Sequence, residues 1–234
     1  MKNSPADTEL SRLLSLAAHE VRNPLSVLQG FVRFVLNDTK EKVSDKHREY
    51  LETAMRSYGR IKEVSDQLSE YSRMVAGEIR ISREPTDLTA VLRDVIDALP
   101  RIEREVAVEL NAKDTPTMVE ADPLWLKRAL TSIVTALRLE VGATNKLSLE
   151  HDNGEYQGKP ASWILIGDVA QLDVLHQEPK DALGWFNDKE RGNLGLSLWI
   201  AKWVLNAHGG GIWAPATADK GGGAAVALPH ASME

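Results

Sequence analysis

The sequence predicts an α+β protein in two parts: an antiparallel helical hairpin forming a dimeric four-helix bundle, followed by an α/β sandwich. Two segments of about 30 residues carry apolar side chains at three- and four-residue steps, the period of an amphipathic helix. After Gly77, strand-like and helical segments follow each other without strict alternation, as in a sheet packed against helices. We therefore predict one domain over residues 1–76 and a second over residues 77–234.

The hairpin is expected to consist of helices over residues 8–37 and 44–76. Ser44 follows a polar run, and its side chain can cap the start of the second helix. Each helix has one apolar stripe, and two such helices have no core of their own. Burial against a second copy is therefore expected, which predicts a homodimer.

The second domain is expected to mix short strands and helices. Strands are predicted at residues 78–82, 106–110, 146–150, 162–168, 211–214 and 224–228. Helices are predicted at residues 87–99, from about residue 122 and at residues 194–207. Pro123 suits the first turn of the middle helix, and residues 171–191 are expected to form a polar loop.

Composition excludes several classes of protein. The 234 residues are 43% hydrophobic and 26% charged, which is ordinary for a globular chain and unlike a disordered or collagen-like one. A net charge of -6 argues against nucleic-acid partners. The absence of cysteine excludes disulfides and thiolate metal sites. No stretch reaches the roughly 20 apolar residues of a membrane span, so we expect a cytoplasmic protein without a membrane segment.

Chemistry is concentrated in the first helix, in the run His-Glu-Val-Arg-Asn-Pro-Leu at residues 19–25. Pro24 inside a helix costs about 3 kcal/mol, which suggests a functional reason for it. His19 and Asn23 are four residues apart and share a helix face. A neutral imidazole is a nucleophile, and Glu20 could orient the ring and accept its proton. No second histidine follows at zinc-ligand spacing, so no metal site is predicted here.

This run resembles the H-box of sensor histidine kinases, whose pattern is His-Glu-hydrophobe-Arg/Lys-Thr/Asn-Pro-Leu. The resemblance implies that the hairpin is a dimerisation and histidine-phosphotransfer domain. It implies that His19 is the phosphoacceptor and Glu20 the general base for phosphorylation. Asn23 would position the water that hydrolyses a phosphoaspartate on the partner.

The resemblance extends over about residues 10–228. Residues 84–88 look like the start of the family's catalytic ATP-binding domain, residues 121–123 like the start of its N-box helix, and residues 194–210 like its G2 box, following helix and closing turn. ATP and Mg²⁺ are the cofactors that the family implies. Asp168, Asn193 and Gly195 are the nucleotide-binding residues that this sequence retains.

The N-box departs from the family pattern. It normally supplies asparagines, the second of which holds Mg²⁺. One register places Ser132 and Ala136 at these positions, and the other places Thr135 at the second. Alanine has no oxygen for a hard cation, and a threonine hydroxyl alone is a weak substitute.

The two glycine-containing boxes depart as well. In the G1 box, Asp168 keeps the carboxylate that receives the adenine amino group, but Ala170 and Leu172 replace both glycines. The G2 box, at residues 191–195, keeps one of its three glycines in register. The sequence therefore predicts a degenerate ATP-binding domain that binds Mg-ATP weakly or not at all.

The predicted function is that of a two-component signalling protein of the histidine kinase and phosphotransferase class. It would carry phosphoryl groups on His19 and exchange them with an aspartate of a response-regulator receiver domain, with the ATP-dependent autokinase step in question. Two alternatives stay open: an ATP-dependent sensor histidine autokinase core, and a non-enzymatic docking module.

Overall fold

The chain divides into two units, Met1–Arg80 and Ile81–Glu234. The computed structural model describes residues 5–37, 43–102, 105–111, 117–141, 145–177, 183–185, 195–215 and 223–231. None of the described helices is both long enough and apolar enough to cross a membrane.

The first unit is the predicted helical hairpin, which the structure confirms. It consists of α1 (Pro5–Asn37) and α2 (Asp45–Val75). Ser44 caps α2, because its hydroxyl accepts a hydrogen bond from the backbone N–H of His47 at 3.4 Å. The sequence therefore located the start of α2 correctly.

Small polar side chains join the two helices of the hairpin. The buried hydroxyl of Ser65 donates to the carbonyl of Ala18 at 2.8 Å. One end of the hairpin is joined in the same way, since Ser72 Oγ donates to the carbonyl of Ser11 at 2.7 Å. Because each bond pairs one residue of α2 with one residue of α1, these contacts fix the register between the helices.

The second unit combines four helices with eight strands among its described residues. The helices are α3 (Leu88–Asp97), α4 (Pro123–Glu140), α5 (Val169–Gln177) and α6 (Gly195–Ala207). The strands are β1 (Glu84–Asp87), β2 (Ala107–Asn111), β3 (Met118–Ala121), β4 (Lys146–Tyr156), β5 (Lys159–Gly167), β6 (Gly184–Trp185), β7 (Gly211–Ala214) and β8 (Ala224–Pro229).

Six of the strands form one mixed sheet, in the order β2-β4-β5-β8-β7-β6. Strand β2 is parallel to β4, and the other neighbours are antiparallel. Gln157 and Gly158 connect β4 to β5 with φ angles of 54° and 73°, as a tight hairpin turn requires. The remaining strands, β1 and β3, form a separate antiparallel pair. A sheet combined with helices confirms the predicted α+β class.

Side chains from β5 and β8 bury a hydrophobic cluster beneath α5. Leu172 and Leu175 of α5 are 5% and 0% exposed. The cluster contains Trp163, Leu165, Leu172, Leu175, Leu183, Ala225 and Ala227, with Tyr156 and Trp213 packed against it. Ile164 and Ile166 point to the opposite face of the sheet because side chains alternate along a strand.

Helix α5 corrects the predicted polar loop over residues 171–191. Asp168 caps this helix, since its Oδ1 accepts from the backbone N–H of Gln171 at 3.0 Å. At the other end, His176 Nε2 lies 2.6 Å from Glu150 Oε2 on β4. The loop prediction followed the polar composition and gave too little weight to two leucines one helical turn apart. Residues 178–182 and 186–191 of the predicted loop lie outside the described residues.

The predicted strand at residues 78–82 is also wrong. The backbone N–H of Ser82 donates to the carboxylate of Asp122 at 3.1 Å, so a side chain holds this backbone group. The strand begins later, at Glu84, and pairs with β3, which the sequence analysis missed. Pro85 is tolerated in this two-stranded pair because an edge strand can lack one backbone donor.

His208 joins the end of α6 to the start of α4. Its ring is 1% exposed, Nε2 accepts from the backbone N–H of Asp122 at 2.8 Å, and Nδ1 donates to the carbonyl of Val204 at 2.7 Å. Burial lowers the pKa of His208 below its ordinary value. A neutral ring suits this position, because protonation would remove the acceptor that Asp122 uses.

Replacing Leu172 with glycine, the residue of the family's G1 box, should destabilise the protein. The cost should be about 3–5 kcal/mol, because the change empties a buried site and places glycine inside a helix. Ala170→Gly, at the other G1 position, is the matched control. Ala170 is exposed, so only about 1 kcal/mol of helix propensity is lost. Urea unfolding measures both values, and equal small losses would show that α5 does not depend on Leu172.

Candidate functional site

His19 lies in the middle of α1 with an exposed side chain. The preceding residue, Ala18, is fully buried, and its carbonyl holds the hydrogen bond from Ser65. The backbone is therefore attached to α2 directly beside the imidazole. Within the described part of the chain, the His19 ring forms no hydrogen bond, so both nitrogens face solvent.

Arg22, three residues after His19, connects the same part of α1 to α2. Its Nη2 donates to Asp66 Oδ1 at 2.9 Å and to Ser69 Oγ at 3.2 Å. Lys62 donates to the other oxygen of Asp66 at 2.6 Å. Hydrogen bonds from Lys62 and Arg22 lower the pKa of the Asp66 carboxyl below its ordinary value. The ion pair between Arg22 and Asp66 is partly exposed. It therefore mainly orients α1 against α2, and it stabilises the fold by about 1 kcal/mol at most.

Sequence analysis missed the α2 side of this site. Asp66, Ser65 and Ser69 belong to no motif, and they reach the H-box only through the fold. One signal was present, since Lys62 and Asp66 are four residues apart and form an ion pair along the helix. That spacing indicates an ion pair on α2 but does not indicate its position opposite Arg22.

Glu20 and Asn23 are both exposed on α1. Asn23 lies one turn from His19 on the same face, as its spacing predicts. Glu20 adjoins His19 but is rotated by about 100° around the helix. No hydrogen bond among the described residues joins the His19 ring to either side chain, so the three groups are neighbours without a preformed network.

The three predicted nucleotide-binding residues have separate positions in the fold. Asp168 follows β5, and one of its carboxylate oxygens caps α5. Gly195 is the first residue of α6. Asn193 lies outside the described residues.

The N-box positions of α4 provide few side-chain ligands for a divalent cation. Ala136 is buried and has no side-chain oxygen. Ser132 Oγ donates to the carbonyl of Arg128 at 3.2 Å, and Thr135 Oγ1 donates to the carbonyl of Thr131 at 2.7 Å. Mg²⁺ is normally held by carboxylates and phosphate oxygens, so two neutral hydroxyls bonded to their own helix are a poor replacement.

Comparison with known proteins identifies the hairpin. Residues 9–77 match the His Kinase A (phospho-acceptor) domain. The sensor protein GacS of Pseudomonas syringae pv. syringae is 25% identical over 223 residues, covering 90% of this chain and 24% of that protein. Signal transduction histidine-protein kinase AtoS of Escherichia coli (strain K12) is 26% identical over 207 residues, covering 87% and 32%. The chain thus spans a quarter to a third of these relatives.

Solved structures show the same fold. The crystal structure of full-length ShkA in complex with AMPPNP aligns with a TM-score of 0.66 at 20% identity, covering 95% of this chain and 46% of that chain. Acinetobacter baumannii histidine kinase AdeS aligns with a TM-score of 0.53 at 18% identity, covering 92% and 98%. Residues 9–77 thus match a histidine kinase phospho-acceptor domain, and the chain as a whole is similar in sequence and in fold to histidine kinases of two-component signal transduction.

Proposed function

We propose that the chain carries phosphoryl groups on His19 and exchanges them with an aspartate of a response-regulator receiver domain. The observation that carries this proposal is the exposed His19 ring on a helix whose backbone is attached to α2 at Ala18 and Arg22. An exposed nucleophile on a fixed backbone can attack the phosphoaspartate of a docked receiver domain in line. In the reverse direction, the aspartate of the docked receiver can attack a phosphoryl group on His19. The resulting protein is a histidine phosphotransferase of the two-component class.

Transfer requires only a nucleophilic ring and a docked donor. A lone pair on one nitrogen of neutral His19 attacks the phosphorus of the receiver's phosphoaspartate. The bond between phosphorus and the aspartate oxygen breaks, and its electron pair remains on the carboxylate. The proton on the other ring nitrogen can pass to Glu20 or to water. In the reverse direction the same imidazole is the leaving group.

Asn23 supports a second role at the same site. Its amide projects from the face that carries His19 and can hold a water molecule beside the docked partner. Attack of that water on phosphoaspartate would yield inorganic phosphate and free aspartate. We therefore assign Asn23 to loss of phosphate from the partner, and His19 to its transfer.

ATP is a poor donor in this proposal because the described residues do not fit Mg-ATP. Leu172 is buried in a core cluster where the family has a glycine, and one oxygen of Asp168 caps the helix containing Leu172. Ala136 supplies no metal ligand. Restoring one of these positions would leave the other departures, so a single substitution should not recover binding.

A phosphorylated receiver domain should label wild-type protein, whereas Mg-ATP should not. His19→Gln should reduce labelling to background while leaving the hairpin folded, because His19 has no partner within the described residues. His47→Gln is the matched control, since His47 is an exposed histidine of the same hairpin and should leave labelling unchanged. Radiolabel transfer from a panel of phosphorylated receivers measures this.

Two outcomes of that experiment would contradict the proposal. Equal labelling of His19→Gln would place the phosphoryl group elsewhere, and no labelling by any receiver would favour a docking module. Efficient labelling of wild type by Mg-ATP would instead support the ATP-dependent autokinase.

We further propose that the hairpin forms a homodimer through the apolar face of α1. This face is exposed in the single chain, with Leu28 at 59% and Phe31 at 69%. It consists of Leu10, Leu13, Val21, Leu28, Phe31 and Val35. His19 lies nine positions from both Leu10 and Leu28, which at about 100° per residue places it on the opposite side of α1. Pairing of two copies would therefore bury the apolar face and leave His19 accessible.

Leu28→Glu should dissociate the dimer, because it places a charge in the paired apolar face. Ser26→Glu is the matched control, since Ser26 is exposed and lies about 200° around α1 from Leu28. Light scattering at micromolar concentration should give twice the chain mass for wild type and Ser26→Glu, and the chain mass for Leu28→Glu. A wild-type monomer would refute the proposed pairing.

A further inference from the structure

Asp122, the residue before α4, is hydrogen-bonded to three different segments of the second unit. Its Oδ1 caps α4, because it accepts from the backbone N–H of Trp125 at 3.2 Å. Its Oδ2 accepts from the backbone N–H of Ser82 at 3.1 Å. Its own backbone N–H donates to Nε2 of His208, directly after α6, at 2.8 Å. A change at any one of these partners therefore acts on Asp122 and, through it, on the other two.

Residues 81–83 are the first residues of the second unit, and hydrogen bonds hold them at both helices. The bond from Ser82 to Asp122 holds them at the start of α4. Arg83 holds them at the end of α6, because its Nη2 donates to the carbonyl of Ala207, the last residue of that helix. A cation is favourable at the C-terminus of a helix, where the last carbonyls lack intrahelical donors. We name the following four residues the entry junction: Ser82, Arg83, Asp122 and His208.

The hydrogen bonds of His208 select one protonation state of its ring. Nε2 carries no proton, because it accepts from Asp122, and Nδ1 carries the proton that it donates to the carbonyl of Val204 at 2.7 Å. The residue is 1% exposed, so water reaches these partners only if the junction opens. Protonation of Nε2 would place two N–H groups opposite each other and remove the acceptor of Asp122.

The groups around His208 differ in their effect on its protonation. Burial is the main cause that lowers the pKa of His208, and the nearby charge of Arg83 lowers it further. The carbonyl of Val204 and the carboxylate of Asp122 raise this pKa. Of the other described residues, the titratable ones that line a cavity together with His208 are Glu120, Lys159 and His230. The neutral ring is therefore favoured at neutral pH, and a charged ring would have the Asp122 carboxylate as its nearest counter-ion.

We propose that His208 is an acid-sensitive switch, and that protonation of its ring releases residues 81–83 from α4 and α6. The charged ring cannot accept from the backbone of Asp122 and attracts its carboxylate instead. When that carboxylate turns to the ring, the N–H of Ser82 loses its acceptor and α4 loses its cap. Two cations then lie at the end of α6, and their repulsion favours departure of Arg83. The switch lies wholly within the second unit and does not depend on phosphotransfer by the hairpin.

The switch gives the stability of the second unit a defined pH dependence. A histidine of the unfolded chain has a pKa of about 6.5, and folding lowers the pKa of His208 below this value. The unfolded state therefore binds more protons than the folded state once the pH falls below about 6.5. The folded state loses stability from that pH down to its own lower pKa, whereas above about pH 6.5 the entry junction is intact.

Nuclear magnetic resonance of the full chain between about pH 7.5 and about pH 5 tests this switch. The His208 ring should titrate below its ordinary pKa. The amide protons of Ser82 and Asp122 should move upfield with the same midpoint, because each loses its acceptor. His208→Gln keeps a side-chain carbonyl as an acceptor but cannot be protonated, so both amide resonances should stay in place. His230→Gln, at another histidine of the same cavity, is the matched control and should titrate like wild type.

Four results would overturn this proposal. The first two are a His208 ring that stays neutral down to about pH 5, and amide resonances that do not move when the ring titrates. The others are amide resonances that still move in His208→Gln, and loss of their movement in His230→Gln. If His208→Gln fails to fold, the wild-type titration decides alone, since different midpoints for the ring and the two amides would refute the coupling.

Discussion

The hydrogen bond from Ser65 to the carbonyl of Ala18 is the contact on which the proposed chemistry depends. It attaches α2 to α1 at the residue before His19, in a hairpin where a small buried alanine allows close approach. Three residues later, the ion pair of Arg22 with Asp66 attaches the helices again. The imidazole therefore projects from a segment held on the α2 side and open on the other. Such an arrangement presents a nucleophile to a partner without requiring a pocket around it.

The second unit has the fold of the histidine kinase AdeS, and Leu172, which stands where the resembled G1 box has a glycine, is buried in it. Asp168 and Leu172 are the first and last of the five residues of the resembled G1 box. Here Asp168 caps helix α5, and Leu172 is buried on that helix. The capping bond to Gln171 and the burial of Leu172 act together, because the cap starts the helix that carries the leucine into the cluster. An aspartate retained from a motif can thus have a structural role.

Much of the architecture could be predicted because its local signals are strong. The long helices follow from apolar residues at three- and four-residue steps, and α2 begins at Ser44 as its capping side chain indicates. Helix α5 was missed because only Leu172 and Leu175 mark its buried face within a polar segment. Strand β3 was missed because it is four residues long and its partner, β1, contains Pro85.

Other features could not be predicted because they depend on contacts between residues that are far apart in the sequence. The H-box motif identifies His19 but not Asp66, which is 44 residues beyond Arg22. The N-box count predicts that Ala136 lacks a metal ligand, but it does not reveal that Arg138 is 9% exposed and donates from Nη1 to the carbonyl of Pro100. Both findings require the packing of α4 and α2 against their neighbours. Local patterns therefore located the nucleophile, and only the fold located its supporting residues.

We propose that His19 exchanges phosphate with a protein partner and that ATP is not its donor. Calorimetric titration of the full chain with ATP in the presence of Mg²⁺ tests this most directly. We expect no saturable binding in the micromolar range, because Leu172 prevents the close approach of the phosphates and Ala136 provides no metal ligand. A dissociation constant in the low micromolar range would contradict it and establish an ATP-binding kinase core.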